Sequence, residues 1–335
     1  NLEAARERLR TRGRVSPTRE SLAEDLDAIR VLLDQGLSSE AEARLVQLLR
    51  SARHDPSQLA MARCALSTAL EMKGRYRESL EAVAMYESQQ ARARLDEAAQ
   101  ICLRVQLGLA YSNTGDHPKA VALLNSALRD VLESGSNEQC GSVYLALTRV
   151  YRSINEYPIS RDHAKKALEH FRREGAWRGM AEAYFGIAGA DLQTGDYESS
   201  LSNFGQALKL VGNHPATYLL GKIYTNMAGA CWFLKRPHEG IRFLEKAIGY
   251  YERTDHKANA ADGYNNLGIN FILVGDWARA QAALRRALMS TPSRRRRASS
   301  SQASRSLINS SFPDTTALLR SVSAVCPASP TIRFA

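Results

Sequence analysis

Nowhere in the 335 residues do 18 apolar side chains follow one another, so the sequence offers no membrane-spanning helix. The opening stretch, Asn1 to Arg19, alternates Arg with Glu and Leu and has no apolar signal core, and a cytoplasmic protein is the expectation. Cysteine is sparse and unpaired in pattern. Cys64, Cys102, Cys140, Cys231 and Cys326 are far apart, with no C-x-x-C to suggest a zinc site or a redox dithiol; reduced thiols that act as small hydrophobes are expected. No H-E-x-x-H, G-x-S-x-G, G-x-x-x-x-G-K-[ST] or G-x-G-x-x-G occurs, and the seven histidines are scattered. His163 and His170 share a helical face but lack a third ligand, and Glu42, Asp130 and Glu169 read as solvated helix faces. The sequence therefore predicts neither an enzyme nor a bound metal or cofactor.

Charge is present in excess of one sign, but at the ends. Residues 291 to 335 hold seven Arg and one acidic residue, and residues 1 to 20 hold six Arg and three Glu, leaving +1 of the formal +10 for everything between. The body of the chain has no basic field with which to attract nucleic acid. Only the basic tail gives that class a foothold, and binding through it is expected to be steeply salt-dependent.

What the sequence does have is a period. Gly115-Asp116-His117, Gly195-Asp196-Tyr197 and Gly275-Asp276-Trp277 stand 80 residues apart, with Asn155-Glu156-Tyr157 and Lys235-Arg236-Pro237 at the midpoints. Gly36-Leu37-Ser38 and Gly74-Arg75-Tyr76 continue the series upstream. A Gly or Asn can end a helix in the left-handed conformation, and the following Asp or Glu can cap the next. Pro118, Pro158 and Pro237 sit just inside the second helix, where the missing N–H costs nothing. Lys235 is the weak turn, lacking glycine's freedom.

The side chains between the turns keep the same register. Five residues past each turn the chain is small in all seven units: Ala41, Ser79, Ala120, Ser160, Ser200, Gly240 and Ala280. A close helix crossing requires this. Nine past stand Leu45, Val83, Leu124, Ala164, Phe204, Leu244 and Leu284, and twelve past, in the last five units, an Ala from Ala127 to Ala287. Eight before the turn an apolar residue recurs from Leu66 to Leu267, each followed by a small one. Tyr144, Tyr184, Tyr224 and Tyr264 recur eleven before it and read as packing between units with the hydroxyl at the rim.

This order of small, apolar and turn residues, clearest in Tyr264 to Gly268 and Gly275 to Ala280, resembles the tetratricopeptide repeat, with a 40-residue unit in place of 34. The surplus falls where one unit's second helix runs into the next unit's first, as in Ala247 to Asn259. Similar 40-residue units occur in spindle-orientation adaptors and in sensory halves of bacterial regulators. The resemblance implies an all-α, right-handed solenoid of about seven antiparallel helix pairs, a TPR-like superhelix over residues 21–290. It would follow an Arg-rich lead-in, 1–20, and precede a Ser/Arg/Pro-rich tail, 291–335. Ser16-Pro17 reads as the start of the first helix.

The resemblance implies an interaction surface and no chemistry. The first helices of successive units are expected to line a concave groove that takes a protein or an acidic peptide. Groove candidates are Arg149, Arg152, Gln193, Lys222, Asn226, Trp232, Asn265, Asn266 and Ile269. Lys222 and Asn226 with Asn265 and Asn266 partly resemble the carboxylate clamp of chaperone-binding relatives. The second expectation is a sensory segment of a larger bacterial regulator. The tail has three readings: a basic arm with an R-R-x-S site at Ser299, a capping helix built on Leu318, Val322 and Val325, or a non-native stretch.

Overall fold

The computed structural model describes residues 19–50, 55–134 and 136–290, with side chains from residue 23. The lead-in with Ser16-Pro17, Cys326 and the whole tail, Ser299 and the capping-helix residues included, lie outside the described residues. Those described form 15 helices and no strand. The seven pairs are α1 (Arg19–Asp34) with α2 (Ser38–Arg50), α3 (Pro56–Met72) with α4 (Tyr76–Ala84), and α6 (Glu97–Thr114) with α7 (His117–Ser134). They continue with α8 (Asn137–Ser153) and α9 (Tyr157–Glu174), α10 (Trp177–Thr194) and α11 (Tyr197–Val211), α12 (Thr217–Phe233) and α13 (Pro237–Tyr251), and α14 (Lys257–Leu273) and α15 (Trp277–Met289). A single-turn helix, α5 (Gln89–Arg92), fills the step where α4 stops after nine residues.

All seven expected turns are present, and each turn residue has a positive φ: Gly36, Gly74, Gly115, Gly195 and Gly275, with Asn155 at 64° and Lys235 at 57°. Asn155 is held there in part by Tyr157, whose hydroxyl donates to its Oδ1 at 2.7 Å. The caps divide by side-chain length. Asp116, Asp196 and Asp276 each accept from the backbone N–H three residues on, at 3.2, 3.3 and 3.0 Å. Glu156 makes no such bond, so the expected Glu cap is corrected: the extra methylene carries its carboxylate past the N–H that aspartate meets.

The small stripe lies where helices cross most closely. Ser79, Ser160 and Ser200 donate from Oγ to the carbonyls of Ser67, Thr148 and Ala188, each 12 residues earlier, at 2.9, 2.8 and 2.8 Å. A Cβ on Gly108 or Gly268 would stand 2.7 or 2.6 Å from Cγ of Leu124 or Leu284. The nine-past and twelve-past residues are all buried. The surplus over 34 residues is taken up by longer helices, 17 or 18 residues each from α6 to α10. Behind Ala247 it is a link as well, between Tyr251 and Lys257.

The chain divides into two compact units, residues 1–217 and 218–335. In unit one the first helices pack in sequence, α1 on α3, α3 on α6, α6 on α8 and α8 on α10. In unit two α13 packs on α14 and α14 on α15. Two of the carboxylates expected on solvated faces tie helices together; Glu42 is largely covered, whereas Asp130 remains exposed as expected. Glu42 on α2 accepts from Lys73 at 2.7 Å and Arg75 at 2.6 Å, at the turn after α3. Burial pushes its carboxyl up, but those two hydrogen bonds hold it below the usual range. Asp130 on α7 pairs with the buried Arg104 on α6 at 2.5 Å.

Candidate functional site

In unit one, an ion pair spans the first-helix layer. Arg149 on α8 pairs with Glu71 at the end of α3, and because α6 packs between those two helices, the contact passes over it. Arg149 thus reaches across α6 to the end of α3, and its charge already has a partner.

Arg152, nearly one turn further along α8, differs. Among the described residues its guanidinium has no hydrogen bond and no ion pair, although the residue is only partly exposed. Burial, with the like charge of Arg149 adding to it, brings its pKa down to about 10. Opposite it on α10 is Gly189, where a Cβ would lie 3.4 Å from Arg152 Nη1. Glycine there leaves room for the guanidinium against α10. Gln193 follows Gly189 by one turn on the same helix face and is partly buried.

Beside Arg152, Ser153 Oγ lies 3.0 Å from Ser112 Oγ and 3.4 Å from His117 Nδ1, and Ser112 Oγ is 3.2 Å from the same imidazole. Ser153 also donates to the Val150 carbonyl at 2.7 Å. This cluster joins the ends of α6 and α8 to the start of α7 and was not singled out from the sequence, where its two serines are 41 residues apart. The 40-residue period was the available signal. His163 and His170 form no metal site: His163 stacks between Tyr144 and Tyr151, at 5.7 and 5.2 Å, and His170 stacks on Tyr144 at 5.7 Å. Among the described residues no group of three or more His, Cys, Asp or Glu could hold a metal ion, and no helix is long and apolar enough to cross a membrane.

The remaining candidates belong to unit two. Lys222 Nζ stands 5.6 Å over the Tyr218 ring, and Asn226 donates to the Lys222 carbonyl of its own helix at 2.8 Å. Trp232 and Asn265 are partly buried. Asn266 and Ile269 are corrected: at 2% and 4% exposure they belong to the interior and present nothing to a partner. On a helix turning about 100° per residue, Asn265 and Asn266 cannot both face outward, so the four-residue clamp is incomplete. Asn270, buried at 1% exposure and donating to the Asn266 carbonyl at 2.9 Å, is a polar interior residue the register did not expose.

The family profile described as tetratricopeptide repeat matches residues 99–173 and 219–289. Among solved structures, the chain is similar to a signal transduction ATPase with numerous domains that carries a tetratricopeptide repeat sensor, from Pyrococcus horikoshii. That likeness has a TM-score of 0.65 at 16% identity, over 97% of this chain and 49% of that one. This chain therefore spans about half the length of that ATPase. It is similar also to a Rap protein complexed with competence and sporulation factor, with a TM-score of 0.58 at 16% identity over 82% and 77% of the two chains. The quorum sensor NprR from B. thuringiensis, in its apo form, aligns with a TM-score of 0.58 at 15% identity, over 91% and 79%. At these identities the likeness is one of fold, an all-α solenoid of helix pairs. No curated protein matches the sequence.

Proposed function

Because this chain is a tetratricopeptide-repeat protein, we propose that it works by binding a peptide or partner protein and that the inner face of unit one takes an acidic segment of that partner. The observation that carries the reading is the unpaired guanidinium of Arg152. A cation withdrawn from water and left without a carboxylate is unfavourable, and an incoming carboxylate recovers that cost through a charge-assisted, bidentate pair. Arg149, already engaged by Glu71, adds to the positive field that draws the anion in. Gln193 supplies amide groups for the partner's backbone. In unit two the partly exposed Lys222, Asn226, Trp232 and Asn265 are further candidate contacts of the same mixed character.

The test is an array of acidic peptides probed with the full chain and with Arg152→Met, which keeps the side chain's length and removes its charge. Peptides captured by the wild type are expected to lose roughly tenfold or more in affinity, the scale of a lost charged hydrogen bond. They should lose as much when their Asp and Glu are replaced by Asn and Gln. Equal capture by both proteins would remove Arg152 from the site.

A second reading, a sensory segment of a larger regulator, is favoured by one observation: nearly all of this chain aligns with about half of an ATPase that carries a tetratricopeptide repeat sensor. An ATPase or helix-turn-helix reading frame continuous with this coding sequence is its expected signature. A transcript that ends in both directions without one would count against it.

A further inference from the structure

Unit one meets itself a second time. In a solenoid each repeat touches its neighbours, yet the end of α1 in the first pair reaches the fifth. Arg178 Nη1, in the first turn of α10, lies 2.7 Å from Asp34 Oδ1 and donates to Asp34 Oδ2 at 2.9 Å. The next residue uses both ends of its amide: Gln35 Nε2 donates to the Pro215 carbonyl at 2.8 Å, and Gln35 Oε1 accepts from Thr217 Oγ1 at 2.6 Å. These partners are 144 to 182 residues apart in sequence.

Both sides of the contact are stiffened locally. Asp34 and Gln35 immediately precede the left-handed turn at Gly36. On the other side, His214 stacks on Trp177 at 3.9 Å with the rings within 4° of parallel. His214 N–H donates to the Val211 carbonyl and Ala216 N–H to the His214 carbonyl, both at 2.8 Å. The contact differs in kind from the seams between neighbouring pairs. Those bury Ala, Leu and Phe completely, whereas this one is polar, rests on few side chains, and includes an arginine 43% exposed. Polar, solvent-reachable contacts belong to the low-stability end of a fold, from which moving elements are drawn.

We propose that Asp34 and Gln35 form a clasp that holds the first helix pair against the fifth and against the link that leaves it, from Pro215 to Thr217, and that release of this clasp opens the inner face of unit one. The part played by opening rests on the binding role proposed above; the clasp itself does not. While it is shut, pairs one to five form a closed turn, and a partner reaches Arg152 only through what that turn leaves open. When it is released, each pair is held by its neighbours alone and pair one swings away from pair five, a hinge-type transition between two packed states.

The experiment uses the full chain with nitroxides attached through keto amino acids at the exposed Gln47 of α2 and Ser202 of α11, which leaves the native cysteines untouched. The spin–spin distance is expected to be short and narrowly distributed in the otherwise unchanged protein. It should lengthen by several ångströms and broaden in Asp34→Arg, and return when Arg178→Asp is added. Gln35→Ala with Thr217→Val removes only hydrogen bonds and gives the same lengthening should Asp34→Arg fail to fold. Arg152 is read in parallel by its rate of modification with phenylglyoxal, expected to rise severalfold in the opened variants. An unchanged distance in variants that keep their helical circular dichroism overturns the clasp, as does a lengthening that Arg178→Asp does not reverse. An unchanged phenylglyoxal rate alongside a lengthened distance overturns the gating. None of these readouts needs a partner, so their failure is separate from failure of the peptide array.

Discussion

Asn270 fills the space that a methyl group would take at Gly240: a Cβ built there would lie 2.9 Å from Asn270 Oδ1 and 3.7 Å from the Ala228 carbonyl. In the other six units this position is Ala or Ser, and three of the serines reach the carbonyl 12 residues back. Unit six has given up its side chain and received one from α14. The two substitutions are thus coupled. Gly240→Ala is expected to cost about 1 kcal/mol through overpacking against a side-chain end that can give way. The same change in an Asn270→Ala background should cost less or stabilise. A double-mutant cycle by urea unfolding measures the coupling, and additive effects would show that the two positions are independent.

The turns separate backbone strain from crowding. Lys235 holds φ 57° with a Cβ, a conformation costing L-residues roughly 1–2 kcal/mol, so Lys235→Gly should raise the melting temperature. At Gly115, with φ 97° and no atom within 4 Å of an added Cβ, Gly→Ala should lower it through the backbone alone. Asn155→Gly should gain less than Lys235→Gly, since it removes the Tyr157 hydrogen bond. Thermal unfolding of the three variants, ranked, is the check, and a Lys235→Gly protein no more stable than wild type would sink the argument.

Helical glycines give the opposite contrast. Gly205 in α11 and Gly249 in α13 have nothing within 4 Å of an added Cβ, so replacement by Ala is expected to stabilise by about 0.5–1 kcal/mol each through helix propensity. At Gly108 and Gly268 the added methyl would meet a fully buried leucine at 2.7 and 2.6 Å, and the same replacement should cost about 1–3 kcal/mol. Chemical denaturation distinguishes the two sets by sign.

Much of this was legible in the sequence because repeat geometry leaves little choice of residue. A left-handed turn selects Gly or Asn, and a close crossing selects Ala, Ser or Gly. Six recurrences of the first, with Lys235 as the exception, and seven of the second locate the pairs at Gly36 through Gly275 without any structure. The site was legible only to the helix face. Asn265 and Asn266 differ by 100° of rotation, and the register alone did not say which of them turns inward. The pairing of Arg149 with Glu71, 78 residues away, has no local signal. The contact of Gln35 with Pro215 and Thr217 has none at all, because it depends on how far the small rotation between pairs accumulates over five units.

Asp34 supplies the last test, through pH. Burial raises its pKa from 3.8 to about 6, outweighing the opposite pull of Arg178, while Glu182 adds to the rise and Arg30 opposes it. The folded form therefore holds this proton more tightly than the unfolded chain. The sign follows from linkage: stability from the protonated carboxyl is fully present below pH 4 and is lost as pH rises through about 6. At 1.36 kcal/mol per pKa unit the difference is about 3 kcal/mol at most. Carboxylates whose pKa is lowered, such as Glu42, act in the opposite direction, so the wild-type profile alone does not isolate Asp34. The comparison with Asp34→Asn does. That variant cannot titrate at 34 yet can still accept from Arg178, and it leaves His214, the imidazole on the opposing loop, in place. Its stability relative to wild type is expected to rise between pH 4 and pH 7 and then level off. A difference that stays flat across that range would mean that the Asp34 carboxyl ionises normally and that the clasp carries an ordinary surface ion pair.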